Sequence, residues 1–201
     1  MRRPPTLMLL LSILIGTMLA ACGVPHQYTG TVLNPPKALE DWTLTDQHGQ
    51  PFQLRTQDDT LTVLYFGYTN CPDYCPTTMG EWKQIKEQLG ADADRLRFAM
   101  VTVDPERDTE DVLARYLANF DESFIGLRPT PEQVAALSRE YGVGVAPPAA
   151  TTHDHADHPD PVQHGTYTYV LDGTPQLRLL LRDDIPLEAM VADIRALLRS
   201  R

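Results

Sequence analysis

The run Thr62-Val-Leu-Tyr-Phe66 does most to limit what this chain can fold into. It is short, bulky and β-rich, so it reads as a strand buried in the middle of a sheet. A second such run, Leu96 to Val103, lies downstream. Between the two, Pro76 to Leu89 carries helical spacing and ends at Gly90, a fitting C-terminal stop. Strand, helix and strand in that order require helices packed on a sheet.

The flanking segments extend the pattern. Trp42 to Leu54 reads as a hairpin turning at Gly49. Asp108-Thr-Glu-Asp111 opens a helix whose acidic first turn suits the positive end of the helix dipole. Thr130, Pro131 and Gln133 combine an N-cap, a first-turn proline and a capping-box glutamine ahead of a helix to Tyr141. Tyr167–Leu171 and Leu177–Leu181 flank Asp172-Gly173, a hairpin signal. Pro186 to Leu198 supplies a last helix with Leu187, Met190, Ile194 and Leu197 on one face. The predicted fold is α/β: a thioredoxin-like three-layer sandwich with an N-terminal hairpin and a C-terminal hairpin plus helix.

Residues 1–21 stand apart from that domain. Arg2 and Arg3 give a positive start, Leu7 to Ala21 is almost wholly apolar, and Leu19-Ala20-Ala21 leads into Cys22. This is the pattern of a secretory signal. It resembles the lipobox of bacterial lipoproteins, which implies cleavage and a lipid on Cys22. An uncleaved transmembrane anchor is the alternative, and either puts the domain outside the cytoplasm. Residues 22–36, rich in proline and poor in apolar residues, read as a flexible tether, leaving 37–201 as the folded domain. With Cys22 lipidated, two of the three cysteines remain as a pair. The chain carries 17 Lys and Arg against 27 Asp and Glu with no basic stripe, a surface that repels phosphate backbones and argues against nucleic acid as a partner.

The pair sits in Tyr65-Phe-Gly-Tyr-Thr-Asn-Cys71-Pro-Asp-Tyr-Cys75-Pro76, at the end of the first central strand and the start of a helix. This is where α/β sheets present their ligands. Each cysteine precedes a proline, which disfavours helical conformation and predicts a curled loop with Cys75 near the N-cap. The helix N-terminus there is expected to lower a thiolate pKa. Two such thiolates make a soft site suited to copper(I) or zinc. An inert disulfide or a pair of buried thiols is the bland alternative, but so short a loop constrains the unfolded chain little as a staple.

Phe66-Gly-Tyr-Thr-Asn-Cys71-Pro-Asp-Tyr-Cys75-Pro-Thr-Thr-Met resembles the signature of the SCO/SenC family of copper-binding oxidase assembly factors. Val103-Asp104-Pro-Glu-Arg-Asp108-Thr109 is similar to that family's second motif, and the likeness runs from about Leu39 to the final helix. The resemblance implies copper, as Cu(I), Cu(II) or both, held by Cys71, Cys75 and one distant histidine. The position that matches is His164, just before the strand at Tyr167, although Gln163 and Gly165 depart from the family's usual neighbours. The implied partners are a copper-accepting cytochrome oxidase subunit, another copper carrier, and the membrane through the lipid.

Other residues compete for roles. His153, His155 and His158 lie in an acidic, His-rich stretch that reads either as a solvated loop or as a loose collector of metal. His26 and His48 read as ordinary surface residues. Asp104 is a candidate to orient a ligand or face a partner, whereas Asp108 reads as the cap of the next helix. Two functions follow: a copper metallochaperone, or an enzyme cycling Cys71 and Cys75 between dithiol and disulfide to reduce a recipient's cysteines.

Overall fold

The computed structural model describes residues 25–55, 60–144 and 167–200. All seven residues of Leu61–Gly67 are buried, as the unbroken apolar run requires. Together with β1 (Thr31–Ala38), β2 (Thr43–Asp46), β3 (Pro51–Gln53), β5 (Leu96–Thr102), β6 (Ile125–Arg128), β7 (Tyr167–Leu171) and β8 (Gln176–Arg182), this strand, β4, forms an eight-stranded sheet. The order is β1-β8-β7-β4-β5-β6-β2-β3. β4, β5 and β6 run parallel in the centre, while β7 and β8 are antiparallel to their neighbours.

Side chains alternate across β4, so Leu61, Val63 and Tyr65 enter one core and Leu64 and Phe66 the other. The first core takes Met79, Trp82 and Ile85 from α1 (Tyr74–Leu89), Leu117 from α2 (Glu110–Ala118), and Met190 and Ile194 from α4 (Leu187–Arg199). The second takes Leu137 and Tyr141 from α3 (Pro131–Tyr141). Helices on both faces of one sheet make the three layers expected. Trp82, 1% exposed, meets Tyr65, Phe98 and Phe124 and is the largest side chain in that core. Its replacement by alanine would cost about 3–5 kcal/mol.

The capping box at Thr130 and Gln133 forms as read, and Gly49 turns the β2–β3 hairpin at φ 73°. Four points differ from the sequence reading. Helix α1 starts at Tyr74, two residues before Pro76, because the first-turn amides have no intrahelical partner and a proline there loses nothing. Helix α2 is capped by Thr109, whose hydroxyl accepts from the Val112 amide, not by Asp108. Strand β6 was not anticipated: it is four residues long and contains Gly126, where a Cβ would lie 3.0 Å from Leu113 and Leu117 of α2.

The fourth difference is the stretch expected to be a tether up to residue 36. Thr31 and Val32 pair with Leu180 and Leu179, and Lys37 and Ala38 with Leu177 and Gln176. Pro35 and Pro36 fall in the irregular stretch between these pairs, on an edge strand where proline's missing donor is tolerated. His26, read as an ordinary surface residue, is exposed, but its Nε2 also bonds to the Asp193 carboxylate at 2.7 Å. Proline content signalled a tether, but the edge of a sheet accepts the same composition.

Candidate metal centre

The thiols sit where the sheet hands over to α1. β4 ends at Gly67, whose carbonyl accepts the Val103 amide at 2.9 Å and so ties together the segments leaving β4 and β5. A turn follows in which the Cys71 amide donates to the Tyr68 carbonyl at 3.3 Å. Pro72, Asp73 and Tyr74 are exposed, and Cys75 then enters the first turn of α1. Both cysteines are free thiols, Cys71 at 5% exposure and Cys75 at 0%.

Asp108 holds this loop from below. It is buried at 1% exposure and accepts the Thr69 amide at 3.0 Å, the Thr69 hydroxyl at 2.5 Å and the Thr102 hydroxyl at 2.5 Å. Asp104, the carboxylate favoured from sequence, pairs instead with Arg107 at 2.9 Å. The sequence assigned Asp108 to a cap because Thr109 and Glu110 follow it directly. Only the approach of the β4 and β5 ends turns it inward.

The sulfurs differ in their surroundings. The Cys75 amide, at the helix start, donates to Cys71 Sγ at 3.4 Å. Cys75 Sγ lies 3.7 Å from the Tyr65 hydroxyl. The backbone at Gly67 passes so close that a Cβ there would sit 2.9 Å from Cys75 Sγ and 2.7 Å from the Tyr65 ring. Burial pushes the Cys75 thiol up to about 12, against hydrogen bonds from Tyr68 and Tyr65 that favour the thiolate. The expected lowering at the helix start therefore fails for Cys75: desolvation outweighs the helix end, whose nearest amide serves Cys71.

Two phenols border the pair, and neither stood out in the sequence. Burial, then the charge of Cys75, raises Tyr65. Burial, then the charges of Cys75, Cys71 and Asp108, raises Tyr116, whose buried hydroxyl has no hydrogen-bond partner among the described residues. The tyrosine in Tyr65-Phe66 looked like ordinary strand filling. Tyr116 lies on α2, far from the thiols in sequence but close enough in space to feel their charge.

Cys22, His153, His155, His158 and His164 lie outside the described residues. Among the described residues, no three Cys, His, Asp or Glu side chains converge to hold a metal, and no helix is long and apolar enough to cross a membrane. The donor set present is two thiols, which fits a soft ion and leaves coordination to be completed by a further ligand.

A thioredoxin-like sheet carrying a dithiol at the β4–α1 junction defines the class of protein. The SCO1/SenC family model matches residues 31–199, and the chain belongs to that family. An SCO2-like protein of Rickettsia conorii is 32% identical over 154 residues, covering 75% of this chain and 72% of the relative. A relative from Stutzerimonas stutzeri, named for copper binding, is 37% identical over 121 residues, but these span only 60% of this chain and 59% of the relative. The solution structure of apo Sco1 from Thermus thermophilus matches with a TM-score of 0.70 at 35% identity, covering 87% of this chain and 99% of that one. Yeast Sco1 with copper bound matches with a TM-score of 0.71 at 27% identity, covering 83% and 91%.

Proposed function

We propose that this chain carries copper as cargo on Cys71, Cys75 and His164 and delivers it to the binuclear copper centre of a cytochrome oxidase subunit. The observation that carries the reading is the pair of free thiols at the β4–α1 junction, one of them beside a helix-start amide. The topology supports the third ligand. β7 runs antiparallel to β4, with Leu64 opposite Tyr169, so Tyr167 begins β7 at the thiol end of the sheet. His164 precedes Tyr167 by three residues, a span of at most about 10 Å. A neutral imidazole beside two sulfurs suits both copper oxidation states better than sulfur alone. His153, His155 and His158 would add at most a loose secondary hold on metal.

A second reading has a specific observation behind it: the two thiols are unequal, with Cys71 the more accessible. As an oxidoreductase, the Cys71 thiolate would attack a recipient disulfide and form a mixed disulfide. Cys75 would then displace the recipient, giving a Cys71–Cys75 disulfide here and two thiols there. Two electrons pass and no further reductant enters that half-cycle.

Copper titration of the reduced domain separates the two. In the cargo reading, one tight equivalent is lost in His164→Ala and in Cys71→Ser with Cys75→Ser, and kept when His153, His155 and His158 are removed. Disulfide exchange survives His164→Ala. Unchanged copper affinity with collapsed exchange would sink the chaperone and leave the oxidoreductase. The same reading tethers the domain outside the cytoplasm by a lipid on Cys22. Fatty-acid labelling of the full chain, abolished in Cys22→Ser, is the expected result.

A further inference from the structure

One buried carboxylate takes no part in the thiol site. Asp193, in the middle of α4, is 0% exposed, yet no lysine or arginine bonds to it among the described residues. Its partners come from the other end of the chain: His26 Nε2 at 2.7 Å, the Thr29 amide at 3.0 Å and the Gly30 amide at 2.7 Å. The fit is close. A Cβ on Gly30 would lie 2.7 Å from a Leu181 methyl and 2.8 Å from the Leu180 carbonyl oxygen. Tyr28 packs against the core that contains Cys71 and Cys75, and its ring meets His26 edge-on at 4.8 Å.

The sheet register says at which end this fastening lies. Thr31 pairs with Leu180, and Tyr167 with Arg182, so the start of β1 is level with the start of β7. That is the end at which β4 delivers its chain to the thiols. Only β8 and β7 separate β1 from β4, a lateral distance of about 14 Å at ordinary strand spacing. Cys22 precedes His26 by four residues, which reach at most about 14 Å.

We infer that residues 25–30, clasped on Asp193, turn the thiol-bearing end of the domain toward the lipid surface to which the chain is anchored. The inference rests on the Cys22 anchor reading above. A loose tether through residue 36 would let the domain tumble freely. The clasp instead brings the attachment point onto one end of the sheet, and the short remaining leader keeps that end near the bilayer. The turn beyond β8 carries Asp183 and Asp184, with Glu81 of α1 close enough to Asp183 for its carboxyl to be raised, by burial first and that neighbouring charge second. Arg182 is paired to Asp184 at this turn, which with Asp183 leaves it no net positive charge for binding anionic headgroups. A copper acceptor embedded in the same membrane would then meet the site within a narrow layer above the lipid.

The test uses the full lipidated chain on phosphatidylethanolamine–phosphatidylglycerol vesicles, reduced and metal-free. Thiol modification is followed with iodoacetamide and with a polyethylene-glycol maleimide, on vesicles and in detergent. Cys71 and Cys75 are the free thiols, so the readout needs no copper. The bulky reagent should slow several-fold on vesicles while the small one does not. A long Gly-Ser insertion between Pro25 and His26 should abolish the slowing, and Asp193→Asn or His26→Ala should relieve part of it. A chain that fails to float with the vesicles removes the anchor and the orientation together. A chain that floats but shows equal rates, or whose slowing survives the insertion, overturns the orientation alone.

Discussion

Asp108 and Asp193 are both buried carboxylates that collect hydrogen bonds from uncharged or titratable partners, and they are used differently. Asp108 binds Thr69 and Thr102, from the two loops that leave the central strands beside the thiols. Asp193 binds His26, Thr29 and Gly30, more than 160 residues away in sequence and at the sheet edge. The first lies at the centre of the fold, between Thr102, which is fully buried, and Thr69, which is partly so. The second holds a peripheral segment that can lift away and be solvated while the central strands stay paired. One carboxylate pre-shapes a site and the other fastens a chain end.

The sharpest way to break this contrast is to remove each carboxylate. Asp108→Ala leaves three donors without their acceptor, the fully buried Thr102 hydroxyl among them, and should cost about 3 kcal/mol or more in urea unfolding of the apo domain. A loss below about 1 kcal/mol would mean that the loops hold themselves. Gly67→Ala tests the same region by volume, since its Cβ would press on the Tyr65 ring and Cys75 Sγ. A cost near 2 kcal/mol is expected, with altered thiol–disulfide potential because the sulfur must shift. Gly80→Ala, where nothing lies within 4 Å, is the control that should not destabilise.

Asp193→Ala should cost less, about 1–2 kcal/mol, because the freed amides of Thr29 and Gly30 can reach water by fraying. Hydrogen exchange is the discriminating readout: amides of residues 29–38 should speed up while those of β4 do not. Exchange rising equally in β4 would make Asp193 part of the core after all. Tyr65→Phe is smaller still, about 0.5–1.5 kcal/mol for one hydrogen bond, with a change in the absorption of a copper-loaded protein if the phenol touches a metal-bound sulfur.

Alkaline pH probes the same closed region through Cys75. Cys75 is pushed up to about 12, so the folded state favours the neutral thiol more than the unfolded chain does. The stabilisation is fully present below the unfolded thiol's pKa, near 9, and is lost as pH rises toward 12. Apo-protein melting temperature should therefore fall across that window more in the native chain than in Cys75→Ser. Equal falls would show that Cys75 is not the group responsible.

Much of this was readable beforehand for local reasons. The β4 and β5 runs, the capping box at Thr130 and the Gly49 turn depend on neighbours a few residues apart, and each appears as read. The cysteine pair was legible because its prolines and its place after a buried strand are local as well. What misled was composition without context. Pro35 and Pro36 suggested a tether but sit in an edge strand, and Asp108 looked like a cap because Thr109, the true cap, follows it.

By itself, then, the sequence determined the strands and helices other than β1 and β6, the family signature and the two sulfurs at the β4–α1 junction, all matters of short-range pattern. Tertiary structure alone decided that Cys75 is closed off beneath Tyr65 and Gly67, that Asp108 turns inward and that Asp193 reaches back to His26. The physical reason is common to all three. Burial and hydrogen-bond partnership are set by which distant segments the sheet brings together, and desolvation there outweighs what any neighbouring residue in the chain can signal.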